Sequence, residues 1–379
     1  MLQITEKKVE QAVKIIDTIK AFISSKSTVN EYRTDKKHFI RTSPLSFEKT
    51  VYLLLSNMSN SLAVELFKVL NYNNLEQVSK SAFCQRRYQI KYQLFIKLNE
   101  IVVEEYYKQS ENLQQWKGFY LTAIDGTTLY LPSTISVRDE FGTHKGGGKN
   151  NQSHTEMAQM LVHYDLMSHL VTKSEIYPIN KSELSGAYDW VKTLLYNSLT
   201  LFDRGFGSFF LFWLLLHYKK HFVCRLKLNF NKEVINFVAS GEVDKIVVLR
   251  NSRKKVYGKY TVHLNEEISI RLIRIILPDG TIEILATSLI DDFEYPLDLF
   301  AELYSQRWGV ETCIDRLKNK LLALCFIGEK AEAIYQEIYA TVLIQNMHQL
   351  LVSPAQDIVN ENFKKKSSKG IQTQKSNKQ

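Results

Sequence analysis

The sequence predicts a mixed α/β protein with a helical N-terminal part, a strand-rich centre and a helical C-terminal part. Residues 1–115 contain no glycine and one proline, Pro44, and their apolar residues recur at helical spacing. From Phe119 onward, short runs rich in β-branched and aromatic residues alternate with turn residues, which is typical of strands. After Pro296 the helical pattern returns. These three observations define the expected fold class.

In the N-terminal part, residues 71–74 (NYNN) form a predicted turn, and residues 79–87 (SKSAFCQRR) begin a helix that either Ser79 or Ser81 can cap. A helix pair whose second member is rich in Ser, Gln and Arg is typical of a helix-turn-helix DNA reader. Residues 1–115 would then be a helical DNA-binding domain, with Arg86 and Arg87 as candidate contacts. A solvated helix face often carries the same residues, so both interpretations stay open.

The centre predicts a sheet with hairpin connections. Residues 165–168 are expected to turn between two strands, and residues 278–280 (PDG) form a second hairpin turn. The strand that ends near Phe202 leads into Asp203 and a helix. The remaining predicted strands are residues 119–124, 157–164, 169–176, 222–228, 245–249, 268–277 and 283–287.

Three other segments have distinctive compositions. Residues 206–216 form the longest apolar run, which is too short to span a bilayer and predicts a buried core helix. Residues 143–152 (THKGGGKNNQ) resemble a phosphate cradle but lack the Walker spacing, so we expect a mobile basic loop whose Lys145 and Lys149 contact DNA backbone. Residues 351–379 form a polar, basic tail, and we expect its part from residue 364 onward to be disordered.

Charge and cysteine content constrain the partners. Lys and Arg number 49 against 40 Asp and Glu, a formal net charge of +9, which favours a polyanionic partner. The four cysteines are far apart and form no CxxC pair, so neither a disulfide framework nor a zinc site is indicated. The first residues lack the apolar segment and the cleavage site of a signal peptide. We therefore expect a cytoplasmic protein with no membrane partner.

The helix after residue 296 carries a row of polar residues: Tyr304, Arg307, Glu311 and Lys318. At about 100° per residue, these four lie within a sector of roughly 60° on one helix face. A carboxylate between two cations, with a phenol nearby, suits a divalent metal ion flanked by phosphates. Asp315 follows Glu311 by one turn on the same face and is a rival metal ligand.

Two aspartates directly follow apolar strands. Asp125 precedes a glycine, and Asp203 precedes Arg204 and a second glycine. Because ligands gather at strand ends in α/β sheets, both would face a common site, which Glu311 would complete. Mg²⁺ takes such carboxylate ligands, and two ions about 4 Å apart would assist cleavage of a phosphodiester. Each aspartate alone also has a structural interpretation, as a turn residue or as a helix cap.

Together these residues resemble the DDE transposases of insertion-sequence family 4. The row from Tyr304 to Lys318 matches the signature of that family, with its spacing Tyr-x2-Arg-x3-Glu-x6-Lys. Residues 124–132 (IDGTTLYLP) and 202–208 (FDRGFGS) resemble its two aspartate segments. Residues 298–308 (DLFAELYSQRW) and 331–341 (AEAIYQEIYAT) resemble the run into the glutamate helix and the helix after it. The resemblance covers residues 119–350, in the family's order.

The resemblance implies a ribonuclease-H-like catalytic core over residues 116–350, with a β-rich insertion at about 220–290. It implies that two Mg²⁺ ions, for which Mn²⁺ can substitute, bind to the three carboxylates, Asp125, Asp203 and Glu311. It also implies that phosphates of the element's terminal DNA bind to Tyr304, Arg307 and Lys318.

Two neighbours of these residues are further candidates. Trp308 either contacts a flipped base or packs in the core, and Arg204 is a possible DNA contact. The implied partners are double-stranded DNA, as terminal inverted repeats and as target, and a second copy of the chain in a synaptic homodimer. The implied location is the nucleoid of a bacterial cytoplasm.

Three functions remain as hypotheses. The first is a cut-and-paste transposase that cleaves strands at the element's ends and transfers them to target DNA. The second is a catalytically inactive DNA-binding descendant, which the presence of all three acids disfavours. The third is a general DNA nuclease of the same fold, which the row of Tyr, Arg and Lys disfavours.

Overall fold

The structure, a computed structural model, describes residues 2–56, 61–109, 113–146, 153–321 and 326–376. The chain divides into two compact units. One comprises Met1–Asn112 and Asn319–Gln379, and the other comprises Leu113–Lys318. The C-terminal helix therefore groups with the N-terminal helices rather than with the sheet.

The first unit is helical. Side-chain oxygens at the start of several of its helices accept backbone N–H groups, as Ser79 does from the amide of Ala82 at 3.1 Å. Of the two predicted candidates, Ser79 and Ser81, Ser79 is therefore the cap. The helices are α1 (Leu2–Ser24), α2 (Lys26–Tyr32), α3 (Phe47–Leu54), α4 (Leu62–Tyr72), α5 (Lys80–Arg87) and α6 (Gln93–Gln109).

The second unit is built on a mixed sheet. Its strands are β1 (Tyr120–Tyr130), β2 (Thr143–Gly146), β3 (Ser153–Asp165), β4 (Val171–Pro178), β5 (Ser198–Phe202), β6 (His221–Leu226), β7 (Asp244–Arg250), β8 (Lys255–Tyr257), β9 (Tyr260–Val262), β10 (Glu267–Ile276) and β11 (Ile282–Thr287). Its helices are α7 (Ile135–Phe141), α8 (Glu183–Trp190), α9 (Phe209–His217), α10 (Lys232–Ser240), α11 (Leu299–Ser305) and α12 (Trp308–Asp315). The final helix of the chain, α13 (Ala331–Ser376), belongs to the first unit.

Within the described ranges, nine strands form one sheet in the order β2-β3-β1-β5-β6-β11-β10-β7, with β4 paired to β3. The pairs β1–β5 and β5–β6 are parallel, and the other pairs of this sheet are antiparallel. The predicted hairpins are confirmed, since β3 pairs with β4 and β10 with β11. Gly280, in the predicted turn, has a φ of 82°, a conformation that favours glycine.

The apolar core of this unit lies between the sheet and helices α8, α9 and α10. Phe212 of α9 stacks on Phe222 of β6 with ring centroids 4.7 Å apart, and both are fully buried. The apolar run at 206–216 therefore contains the predicted core helix, which begins at Phe209. No helix of the described ranges is long and apolar enough to cross a bilayer.

Three expectations about secondary structure need correction. The tract 220–290 contains a helix, α10, which begins where the side chain of Asn231 accepts the amide of Val234 at 2.9 Å. Its Val and Ile content made it resemble a strand. The strand that Asp125 was expected to close, β1, continues to Tyr130 because its second half pairs with β3. The tail is helical as far as Ser376, where disorder was expected, because lysine and glutamine are good helix formers that extend α13.

Candidate active site

Strand register brings the two predicted aspartates side by side. In the parallel pair of β1 and β5, Ile124 lies opposite Phe202. The residues that follow them, Asp125 and Asp203, are therefore neighbours. The hydroxyls of Thr122 and of its partner on β5 are 3.1 Å apart and fix the same register. The two carboxylates therefore project near the C-terminal end of β5.

Each aspartate accepts a hydrogen bond from the backbone amide of a glycine that follows it within two residues. Asp125 Oδ1 accepts the amide of Gly126 at 2.8 Å, and Asp203 Oδ1 accepts the amide of Gly205 at 2.8 Å. These bonds resemble the local turn contacts that the structural interpretation of each residue predicted. They use one oxygen of each carboxylate and restrict its rotation.

The polar row does not lie on one continuous helix, as was expected. Helix α11 ends at Ser305 and α12 begins at Trp308. Between them the chain tightens into i→i+3 bonds, with the amide of Arg307 donating to the carbonyl of Tyr304 at 3.0 Å. Residues Arg316–Leu321 then form a π-helical segment. The residue spacing alone does not reveal such local changes of pitch.

Tyr304 connects this region to the sheet. Its side chain is 6 % exposed, and its hydroxyl donates to the carbonyl of Phe202 at 3.3 Å. Burial is the largest cause that raises the pKa of Tyr304 far above its usual value, so the phenol stays protonated. Tyr304 thus anchors α11 at the end of β5, directly before Asp203.

Arg307 bridges two of the carboxylates. Its Nη2 donates to Glu311 Oε1 at 2.6 Å, and its Nη1 lies 3.6 Å from Asp125 Oδ2. The side chain is only 2 % exposed, yet its Nε and Nη1 make no hydrogen bond. A buried guanidinium with two unsatisfied donors can accept a further anionic partner.

Two neighbours of this arginine also lie near the carboxylates: Lys318 contacts β1, and Trp308 contacts Arg307. Lys318 Nζ donates to the hydroxyl of Thr127, on β1, at 3.1 Å. Trp308 is 62 % exposed, which excludes the alternative of core packing, and its ring lies 5.4 Å from the guanidinium of Arg307. Asp315, the rival ligand, is exposed one turn beyond Glu311.

The carboxylates repel one another. The pKa of Asp125 is raised from 3.8 to about 6, first because the group is buried and then because of the charges of Asp203 and Glu311. The bond from the amide of Gly126 and the charge of Arg307 lower it, but they do not compensate. At neutral pH, the Asp125 carboxyl is therefore mostly ionised, although its surroundings destabilise the ionised form.

A further carboxylate, which the sequence did not indicate, lies beside this cluster. Glu183 is the first residue of α8, after the cap at Ser182. Its pKa is raised to about 7, first by burial and then by the charges of Asp125 and Asp203. In the sequence, Glu183 looked like an ordinary acidic residue in the first turn of a helix, and Gly126 looked like a turn residue.

The donor set fits hard divalent cations, which prefer carboxylate oxygens. The observation that supports this fit is the strand register that sets Asp125 beside Asp203, with Glu311 joined to Asp125 through Arg307. Within the described ranges, no group of three or more acidic, His or Cys side chains is arranged to hold a metal ion. Arg307 lies between Asp125 and Glu311 and holds them in their present positions.

The other candidate contacts lie elsewhere or are exposed. Arg204 is exposed beside Asp203, whereas Lys145 lies on β2, and Lys149 falls outside the described residues. Arg86 and Arg87 belong to the helical unit. Arg86 is half-buried, with its guanidinium 5.1 Å from the ring centroid of a phenylalanine.

Arg87 is a correction to the predicted DNA contacts. Only 2 % of it is exposed, and its Nη1 donates to Glu337 of α13 at 2.7 Å. Its Nε donates to Gln336 at 3.1 Å, and its Nη2 donates to the carbonyl of Ala333 at 3.2 Å. The sequence could not reveal this role, because the partners lie about 250 positions away.

Comparison with known proteins identifies the family of the chain. The model of the transposase DDE domain family matches residues 116–347, more than half of the chain. The transposase InsG for insertion sequence element IS4, from Escherichia coli (strain K12), is 29% identical over 241 residues. This alignment covers 61% of the chain but 52% of InsG, so the chain spans about half the length of that relative.

A solved structure is also similar at low identity. It is the piggyBac transposase synaptic complex with hairpin DNA. The match covers 90% of this chain and 76% of the piggyBac chain, with 12% sequence identity and a TM-score of 0.46. At this score, the similarity is too weak to support an argument about the fold.

Proposed function

The chain belongs to the transposase DDE domain family, and from this premise we propose that it is a DNA transposase. It would bind the terminal inverted repeats of an insertion sequence, cleave strands at those ends and transfer them to target DNA. The observation that carries the proposal is the parallel register that sets Asp125 beside Asp203, with Glu311 joined to Asp125 through Arg307.

We propose that the sheet unit is a ribonuclease-H-like catalytic core. Its strands β1, β5 and β6 run parallel, β3 and β4 extend the sheet as an antiparallel hairpin, and the first two acids stand at neighbouring strand positions. The segment from α10 to β11 would be the β-rich insertion between the second aspartate and the glutamate.

Asp125, Asp203 and Glu311 would hold two Mg²⁺ ions, or Mn²⁺ in their place. When bound, such ions lower the pKa of an attacking water or hydroxyl and stabilise the leaving oxygen of a phosphodiester. The three carboxylates are held in place by their neighbours. Backbone amides fix Asp125 and Asp203, and Arg307 orients Glu311.

The cationic side chains would hold DNA phosphates. Arg307 has two buried N–H donors without hydrogen bonds, and Lys318 lies beside β1, where its ammonium group is half-buried at Thr127. Tyr304 supports them by fixing α11 to the end of β5. Trp308, exposed beside Arg307, would stack on a displaced base, since base–aromatic stacking contributes about 1–3 kcal/mol per base.

The assembly would be larger than one chain. We propose that two copies form a homodimer that holds both ends of the element in a synaptic complex. The helical unit would bind DNA through faces other than the buried Arg87. The whole would act in the bacterial cytoplasm, at the nucleoid.

The test is Mg²⁺-dependent nicking of duplex DNA that carries the element's ends. We expect cleavage by the native chain, none in EDTA, and a loss of at least about 100-fold for Asp125→Asn and Glu311→Gln. The control is Asp292→Asn, an exposed aspartate of the same unit, which should retain full activity. Full activity of Asp125→Asn would disprove the site, and equal cleavage of DNA without the ends would indicate a general nuclease.

A further inference from the structure

We propose that Arg225 is a further DNA-binding residue of the candidate active site, where it holds a backbone phosphate on the β6 side of the two aspartates. This inference rests on the proposed function, because it adds a phosphate contact to the site assigned there. It depends on three observations: the strand register that places Arg225, the face of the sheet that it occupies, and the hydrogen bonds of its guanidinium.

Strand register places Arg225 beside Asp203. In the parallel pair of β5 and β6, Phe202 lies opposite Cys224. The residues that follow them, Asp203 and Arg225, are therefore neighbours, just as Asp125 and Asp203 are neighbours between β1 and β5. Since adjacent strands lie about 4.8 Å apart, the two aspartates and the arginine form a row about 10 Å long across three parallel strands.

The side chain of Arg225 points to the same face of the sheet as the two aspartates. The residues directly before these three belong to the apolar core between the sheet and helices α8, α9 and α10: Ile124, Phe202 and Cys224. Because successive side chains along a strand point to opposite faces, Arg225 and the aspartates point away from that core. The two carboxylates and the guanidinium therefore face one common space.

The guanidinium of Arg225 is only partly engaged. Its Nη1 donates to Glu283 Oε1 at 2.5 Å, and within the described ranges this carboxylate is the only hydrogen-bond partner of the guanidinium. Its Nε is buried and makes no hydrogen bond, although 26 % of the side chain is exposed. A guanidinium presents its N–H groups as a fork that fits two oxygens of a phosphate, so the remaining donors can bind one.

Arg225 adds a cation on the side of the aspartates where the site so far had none from the sheet. On the β1 side, Arg307 lies near Asp125, and Lys318 donates to Thr127. On the opposite side, the register places Arg225. A DNA strand carries a charged phosphate at every nucleotide, and contacts to these phosphates fix its position on a protein. A strand that crosses the acids would thus be held by cations on both sides of the reacting phosphate.

The alternative role for Arg225 is an ion pair with Glu283 that only stabilises the sheet. Leu285 of β11 lies opposite Arg225, and Glu283 is the diagonal neighbour, two residues earlier on the same strand. The chain offers a matched pair for this role. Arg250 of β7 lies opposite Glu267 of β10, and its Nε donates to that carboxylate at 2.8 Å. Strand β7 is three places from β6 in the sheet, so this second pair serves as the control.

The experiment measures single-turnover nicking by the full chain in Mg²⁺, on duplex DNA that carries the element's ends, with protein in excess. It gives the protein concentration at half-saturation and the dependence of this concentration on salt. We expect Arg225→Met to raise the half-saturating concentration about 10-fold and to lower its log–log slope against salt concentration by about 0.9. Arg250→Met should change neither quantity. Equal changes in both variants would reflect overall charge alone and would overturn the inference.

Glu283→Gln separates phosphate binding from stabilisation of the sheet. Arg225→Met and Glu283→Gln break the same ion pair, so both should lower stability in urea unfolding without DNA. Only Arg225→Met removes a cation, whereas Glu283→Gln releases the guanidinium and should leave the half-saturating concentration unchanged or lower it. If the two variants raise this concentration equally, Arg225 only stabilises the sheet and the inference is wrong.

Arg225→Lys replaces the Met variant if that variant does not fold, because lysine keeps the charge and loses the fork. A raised half-saturating concentration with the native salt dependence would support phosphate binding by the guanidinium. Native values of both quantities would refute it.

Asp125→Asn distinguishes this inference from the proposed function. If the native chain nicks the duplex, Asp125→Asn does not, and Arg225→Met behaves like Arg250→Met, the inference fails and the proposed active site stands. If the native chain does not nick the duplex in Mg²⁺, the proposed function and the inference both fail.

Discussion

Replacing Asp125 by Asn should stabilise the metal-free protein while it removes activity. The pKa of Asp125 is about 6 in the folded chain, against about 3.9 in an unfolded one. The folded state therefore binds this proton more tightly, and the stability that protonation provides is fully present below the unfolded pKa and is lost as pH rises through 6. The Asp125→Asn protein does not lose this stability as pH rises, because asparagine cannot ionise.

The pKa difference fixes the size of the effect. About two units correspond to about 3 kcal/mol between strongly acidic and neutral conditions, at 1.36 kcal/mol per unit. Because the native pKa falls inside the interval, roughly 1.4 kcal/mol of this difference develops between about pH 5 and pH 7.5. Asp125 is 17 % exposed, so solvent screening removes little of it.

The assay is urea-induced unfolding in EDTA at both pH values. The stability of Asp125→Asn relative to the native chain should increase by about 1 kcal/mol or more from the lower to the higher pH. The control, Asp292→Asn at an exposed position, should show no such increase. A stability difference that stays constant with pH would refute the reasoning, because Asp125 would then carry no opposed charge.

Three further variants test other parts of the structure. Arg87→Met should destabilise the helical unit by roughly 3 kcal/mol in urea unfolding, because it leaves Glu337 without its buried partner; Arg86→Met is the control. Arg307→Lys should lower nicking about 10-fold or more, since an ammonium group cannot bridge Asp125 and Glu311 as the guanidinium does; an unchanged rate would refute the bridge. Trp308→Ala should change stability by less than about 0.5 kcal/mol, because the side chain is exposed, yet weaken binding to the unpaired DNA ends; normal binding would exclude stacking.

The sequence predicted most strands and the acids at their ends. Alternating β-branched and aromatic runs located the strands, and an aspartate directly after an apolar run is visible without a structure. What could not be predicted is that β1 continues past Asp125, because that half of the strand is stabilised by pairing with β3, a long-range interaction. The helix α10 was missed because its apolar residues include β-branched valines and an isoleucine, which also favour strands.

The roles of individual side chains were harder to predict than the acids themselves. Arg87 and Gln85 are two residues apart on α5, but Arg87 is buried against α13 and Gln85 is exposed. This difference depends on contacts with a helix about 250 positions away. Glu183 escaped notice because its only local signal is a common helix start. Its carboxyl lies against Gly126, and this proximity arises only when α8 packs beside β1 and β3.

Arg307 connects the charge of the carboxylate cluster to the proposed binding of DNA. In the present structure its guanidinium is engaged by Glu311 and Asp125, and two of its donor groups lack hydrogen bonds. When cations engage the same carboxylates, Arg307 loses its role as their counter-charge, and its donors can turn to a phosphate. Cation binding and phosphate binding should then strengthen each other, and this coupling is necessarily reciprocal. This proposed exchange of partners would explain why an arginine is buried between two carboxylates, Asp125 and Glu311.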